Sequence, residues 1–204
     1  MKKYNVLVIG SNGMLGHMVS SILKREKEIN VNTTVRNGRN GHQNFDIKNG
    51  IQALDKIISM NKKIDYIINC TGVLNNQINV KDTVSVENAI LVNSLFPNQL
   101  SILSKKHDIR VIHISTDAVF SPEMDTCYEN MFPNCIDYYG ITKKLGEPNS
   151  ENFLNIRCSI IGHSPLNKSG LLEWFLGKPK HSSIHGFSNQ CWNGVSTIQF
   201  SELC

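Results

Sequence analysis

Tyr4-Asn5-Val6-Leu7-Val8-Ile9-Gly10-Ser11-Asn12-Gly13-Met14-Leu15-Gly16 is the stretch that decides the fold. Tyr4 to Ile9 is a short, nearly continuous apolar run ended by a glycine, the pattern of a strand covered on both faces in a parallel sheet. From Met14 the spacing changes. Leu15, Met18, Val19, Ile22 and Leu23 fall on one side of a helix running to about Lys24, and residues 31–35 then read as a second strand. Between the first strand and its helix, glycines recur at positions 10, 13 and 16. Such a turn lets the backbone approach an anion closely, and it aims helix-end N–H groups and the positive end of the helix dipole at that anion. In a strand-turn-helix setting the ligand expected is the pyrophosphate of a dinucleotide, lying against Gly10, Asn12, Gly13, Met14, Leu15 and Gly16.

Outward from this unit the alternation continues, with helices expected at 51–60 and 86–105 and strands at 64–70, 110–115 and 153–157. Strands alternating with helices imply an α/β fold with a doubly wound parallel sheet, whose ligands lie beyond the C-terminal ends of the strands. The last third is less regular. Residues 171–176 read as a short apolar helix, expected as a core-packing stripe, and Ser196 with Gln199 forms a capping box that opens another helix. The expected division is a dinucleotide-binding domain over 1–160 and a partial substrate lobe over 161–204.

The rest of the composition narrows the function. A chain of 204 residues, 40% hydrophobic and 19% charged, can bury one sizeable core. Its 21 basic and 17 acidic residues leave a net charge of +4 that is scattered, with no basic stripe for nucleic acid. The six cysteines, at 70, 127, 135, 158, 191 and 204, form neither a C-x-x-C pair nor a zinc-ligand spacing. They read as thiols of a cytoplasmic protein, and no metal is expected. The apolar run that follows Lys2-Lys3 is too short for a signal peptide, and no other stretch is long enough to span a bilayer.

The residue just past the second strand chooses between the two nicotinamide dinucleotides, since a carboxylate there accepts from a ribose hydroxyl whereas an arginine pairs with a 2'-phosphate. Arg36 stands there with Arg39 nearby, and no acid follows until Asp46, so NADP(H) is favoured over NAD(H). Asp46 and Ile47 are candidate adenine contacts. Farther on, Tyr139 and Lys143 are four residues apart and share one helix face. A phenol with an ordinary pKa near 10 needs a neighbouring cation to act as an acid-base group at neutral pH, and Lys143 can be that cation. Ser115-Thr116-Asp117, at the end of the 110–115 strand, stands where a doubly wound sheet holds its ligand.

These residues resemble the extended short-chain dehydrogenases/reductases, and among them the dTDP-4-dehydrorhamnose reductase-like proteins, which are built on a Rossmann-type sheet. The resemblance is carried by the glycine motif, Ile68-Asn69-Cys70-Thr71-Gly72, Val92-Asn93, Ser115-Thr116-Asp117-Ala118-Val119-Phe120, Tyr139 to Glu147 and Arg157 to Gly162. It implies that Thr116 hydrogen-bonds a substrate carbonyl, Tyr139 delivers the proton, and Lys143 holds the nicotinamide ribose while lowering the tyrosine pKa. It also implies cofactor contacts from Cys70, Thr71, Gly72, Asn93 and Ser115, with Val73, Asp117, Ala118 and Trp192 on the side of a nucleotide-sugar substrate. Cys70 and Thr71 stand where many relatives have alanines. Ala118 disfavours a dehydratase, which carries an acid after the Thr-Asp pair. Asn189 and Asn193 are further candidates for the pocket. Epimerases of the same superfamily, and a non-catalytic subunit that binds NADP(H), are the alternatives. Relatives are longer, so a truncated chain is expected. Pro148 shortens the helix segment that often pairs subunits, which leaves a homodimer open.

Overall fold

In the computed structural model, which describes residues 3–38, 41–124, 126–166, 168–189, 192 and 194–204, β1 (Tyr4–Ile9) lies at the middle of a six-stranded sheet. Its apolar run is continuous because both faces are covered. Leu7 and Ile9 enter one core cluster, and Val6 and Val8 enter the other.

The sheet order is β3-β2-β1-β4-β5-β6, with β2 at Ile29–Val35, β3 at Gln43–Asn44, β4 at Tyr66–Asn69, β5 at Arg110–Ile114 and β6 at Phe153–Ile156. Every pairing is parallel. The chain winds outward from β1 through β2 to β3, then crosses back to β4 and proceeds the other way. This doubly wound Rossmann-type order splits the loops apart beyond the ends of β1 and β4, which is where such sheets bind ligands. The register brings those ends level: Ile9 pairs with Asn69, Asn69 with His113, and Ile114 with Ile156.

One face of the sheet packs against α2 (Ile51–Met60) and α4 (Phe96–Lys106) through Leu54, Ile58, Phe96, Leu100 and Leu103. The other meets α1 (Met14–Leu23) through Leu15, Val19 and Leu23, and α7 (Thr197–Leu203) through Phe200. Ser196 caps α7 as expected: its side chain accepts from the Gln199 N–H, and the Gln199 side chain accepts from the Ser196 N–H.

The structure adds to the expected elements and corrects one of them. The helix expected at 86–105 begins earlier, as α3 (Thr83–Ala89), and continues into α4 through a π-helical segment, Ile90–Leu95. β3 has only two residues and carries no sequence signal. α6 (Leu171–Leu176) forms, but it is not a core stripe: Leu171, Trp174, Phe175 and Leu176 are all exposed. Next to it β7 (Ile160–Ile161) pairs with β8 (Val195–Ser196). Among the described residues no helix is long and apolar enough to cross a membrane.

Candidate active site

The glycine turn is shaped by close approach. Gly10 has φ +80°, which disfavours any side chain, and the Gly13 N–H donates to its carbonyl at 3.0 Å. A Cβ on Gly16 would overlap that same Gly10 oxygen, so only glycine lets α1 start so near β1. No side chain caps α1, and its first turn holds no acid, so its leading N–H groups remain for an anion. Asn12 is exposed and Met14 half-buried, whereas Leu15 turns into the core and can offer only backbone. Arg36 is exposed directly after β2. The Asp46 carboxylate accepts from the Lys48 N–H at 2.9 Å, and Ile47 leans on the core, so both adenine candidates already have intramolecular work. Arg39 and Asn193 lie outside the described residues.

Past β4, Cys70 to Val73 form the opposite wall. The Thr71 methyl sits against Gly10, and the Asn69 side chain accepts from both the N–H and the hydroxyl of Thr71, at 3.2 and 2.7 Å. A Cβ on Gly72 would meet nothing nearer than 3.7 Å, from Asn93, and would lie 4.0 Å from the Lys143 ammonium. With Thr71 against Gly10 and Gly72 against Lys143, this loop links the glycine turn to the lysine and forms the cradle of the candidate site. Asn93 itself is fully buried. Its side chain accepts from the Val73 N–H at 2.8 Å, donates to the Val73 carbonyl at 2.9 Å, and donates to the Thr142 hydroxyl at 3.2 Å. The Asn93 amide is thus committed to the loop past β4 and to Thr142. The π-helical turn that carries it belongs to a class often found at functional sites. Burial, with Cys204 nearby, pushes the Cys70 thiol well above its ordinary value.

The third wall is the turn after β5 with α5 (Tyr138–Leu145). Thr116 is extended, and its hydroxyl accepts from the Ala118 N–H and donates to Asp117, each at 3.2 Å. Asp137 caps α5 by accepting from the Gly140 N–H at 2.9 Å. A Cβ on Gly140 would overlap the Ala118 carbonyl. Glycine at that position lets α5 lie directly on the 117–119 turn, which brings Tyr139 to Thr116. Val73 is buried nearby in sequence to the cradle, while Ala118 faces α5 with its backbone.

Lys143 is 3% exposed, and its ammonium donates to the Ile114 carbonyl at 2.7 Å. Burial lowers its pKa to about 8, with Glu147 and Cys158 opposing the fall. Burial raises the Tyr139 phenol above its ordinary value, with Thr116 partly offsetting the rise. The expected lowering of Tyr139 by Lys143 is absent from this arrangement: burial dominates, and the ammonium is turned to Ile114 instead.

Trp192 is half exposed and donates its indole N–H to the Ser159 hydroxyl at 2.8 Å. Ser115 is buried, with its hydroxyl committed to Glu147, so it can present only backbone to the cradle. Three residues quoted in the motifs but given no role, Asn69, Glu147 and Arg157, prove to tie these walls together; spacing alone carried no signal for their contacts. Among the described residues no group of three or more His, Cys, Asp or Glu could hold a metal ion.

The family model described as the RmlD substrate binding domain matches residues 4–163. Comparison with curated proteins gives no match. Among solved structures, the chain is similar to a dTDP-4-dehydrorhamnose reductase from Clostridium acetobutylicum, at TM-score 0.77 and 23% identity over 98% of this chain and 68% of that one. A hypothetical dTDP-4-dehydrorhamnose reductase from Sulfolobus tokodaii is similar at 0.65 and 29%, over 79% and 57%. The dTDP-4-dehydrorhamnose reductase of Bacillus anthracis in complex with NADP is similar at 0.65 and 21%, over 77% and 54%. Nucleotide-sugar epimerases, one of them in complex with NAD, are also similar. The chain thus spans about two thirds of the Clostridium protein and little more than half of the other two. With the family model covering most of its length, and with its sheet order and glycine turn in agreement, this chain belongs to the RmlD substrate binding domain family.

Proposed function

We propose that this chain is the cofactor-binding part of a cytoplasmic NADP(H)-dependent reductase that acts on a nucleotide-activated 4-keto-6-deoxy sugar, of the dTDP-4-dehydrorhamnose reductase kind, in polysaccharide biosynthesis. The observation that carries this reading is the meeting of Thr116, Tyr139 and Lys143 past the end of β5, joined through Gly72 and Thr71 to the glycine turn that opens the uncapped α1. Residues 1–160 supply the cofactor site in this reading, and 161–204 contribute to a substrate lobe.

The N–H groups of the first turn of α1, from Met14 onward, receive the pyrophosphate, and Arg36 receives the 2'-phosphate. Cys70 to Gly72 and the backbone of Ser115 border the nicotinamide side, where Lys143 can exchange the Ile114 carbonyl for a ribose hydroxyl. When bound, the cofactor supplies a hydride. Thr116 orients the sugar carbonyl through its hydroxyl, and Tyr139, held neutral by burial, gives its phenolic proton to the carbonyl oxygen. Asp117, Ala118, Val73 and Trp192 lie on the substrate side. Ala118 offers no extra base for eliminating water.

The test is NADPH oxidation, followed by absorbance, with a dTDP-linked 4-keto-6-deoxy sugar. Tyr139→Phe is expected to lower turnover about 10²- to 10⁴-fold while leaving NADPH affinity unchanged. NADPH bound but never consumed would overturn the reductase reading, as would full turnover in the variant. An epimerase would return its cofactor unchanged, so net consumption separates the two.

A further inference from the structure

Beneath the catalytic turn lies a buried charge pair that the mechanism above does not use. Glu147 follows the end of α5, its side chain only 8% exposed, and it receives Arg157 from just past β6 in a two-pronged contact, Nη2 to Oε2 at 2.8 Å and Nε to Oε1 at 3.0 Å. The same carboxylate accepts from the Ser115 hydroxyl at 2.5 Å. Arg157 spends its remaining donors on the carbonyl of Glu129 at 3.2 Å, and its guanidinium lies 5.2 Å from the Phe120 ring centroid. The chain reaches this point because a Cβ on Gly146 would overlap the Asn93 carbonyl, so α5 ends flush against the π-helical turn.

Four segments that leave the sheet separately therefore meet on one carboxylate and its arginine: the β5 end at Ser115, the α5 end at Glu147, the β6 end at Arg157 and the 129–131 loop. Ser115 immediately precedes Thr116, and Glu147 lies one helical turn beyond Lys143. A fork-on-fork arginine-carboxylate contact fixes angle as well as distance, which a single hydrogen bond does not.

We propose that Glu147, held by Arg157, is the positioning residue of this site, fixing the Thr116 turn relative to the helix that carries Tyr139 and Lys143. This rests on the reductase reading for its kinetic consequences but not for its structural ones. Around Lys143 the titratable groups are Tyr139 on its own helix, Glu147 just past that helix's end, Cys158 past β6 and the neutral, buried His113 of β5; Asp117 acts on Cys158. Of these, Glu147 exerts the largest influence opposing the loss of the Lys143 charge.

The test uses Glu147→Gln, which keeps shape and removes charge, beside Ser115→Ala, which removes the hydroxyl and leaves the ion pair. Measured without ligand, amide hydrogen exchange over 115–120 is expected to quicken at least tenfold in both. NADPH affinity should stay within about threefold of the original in both, and sugar turnover should fall at least tenfold. The alkaline limb of turnover, where Lys143 discharges, should move to lower pH in Glu147→Gln and stay put in Ser115→Ala; a purely structural role would move neither. Unchanged exchange in Ser115→Ala, or a folded Glu147→Gln with an unmoved alkaline limb, would overturn the proposal. If Glu147→Gln does not fold, exchange in Ser115→Ala decides. If the original chain neither binds NADPH nor reduces the sugar, the functional reading falls while the exchange experiment still tests the positioning role.

Discussion

Asn93→Ala is the substitution whose cost can be worked most directly from the structure. The amide side chain is fully buried, and it satisfies both the N–H and the carbonyl of Val73, itself buried. Its third bond, to the Thr142 hydroxyl, matters less, because that hydroxyl also donates to the Tyr139 carbonyl at 3.0 Å. Alanine thus strands two backbone groups at about 1–3 kcal/mol each, for a total of about 3 kcal/mol. With a urea slope of about 2–3 kcal/mol per molar, the unfolding midpoint should drop by about 1 M. Ser94→Ala, one residue on, removes a single bond to the Thr142 carbonyl at 2.7 Å and should cost about half as much. The assay is equilibrium urea unfolding of the three proteins by circular dichroism. A midpoint for Asn93→Ala within about 0.3 M of the original, or equal to that of Ser94→Ala, would refute the reasoning.

Lys143→Met tests the burial of an ammonium. The folded pKa of about 8 lies below the free value of 10.5, so the unfolded chain binds more protons between these limits and stability from this group rises with pH across that window. Below pH 8 the charge costs about 3 kcal/mol, part of which the bond to Ile114 offsets. Methionine should therefore compare best with the original at pH 7 and lose ground by pH 10, while turnover is abolished; a stability difference that stays constant between those pH values refutes this. Arg36→Ala should weaken NADPH at least tenfold and leave NADH nearly unchanged, as read by cofactor titration. An unaltered preference would remove Arg36 from the cofactor site.

How much of this was legible in the sequence depended on whether a local pattern dictated the contact. The β1 run and the glycine triplet were legible because burial on both faces and close approach to a helix each restrict residue type position by position. The spacing of Tyr139 and Lys143 was legible for the same reason, since four residues on a helix fix a shared face. The π-helical turn was not. Ile90 to Leu95 are ordinary helix residues, and the register shift accompanies a tertiary event, the insertion of the Asn93 amide between the Val73 backbone groups. α6 misled in the opposite sense: its apolar residues carry helical periodicity, yet no layer of the described chain covers them. Periodicity reports that a face is apolar, not what it meets.

The titration of the pair fixes the charge state in which this arrangement rests. Burial pushes Tyr139 up and Lys143 down, each toward its uncharged form, but unequally with respect to pH 7. The phenol is driven farther from ionising, whereas the ammonium, at about 8, remains charged at neutral pH. The resting pair is a neutral phenol beside a cation. A neutral phenol can give a proton to a carbonyl that is gaining a hydride. Oxidation of an alcohol would instead demand the phenolate at the outset, the species that burial penalises. The same burial that costs stability at Lys143 therefore sets the protonation state from which the proposed proton transfer would start.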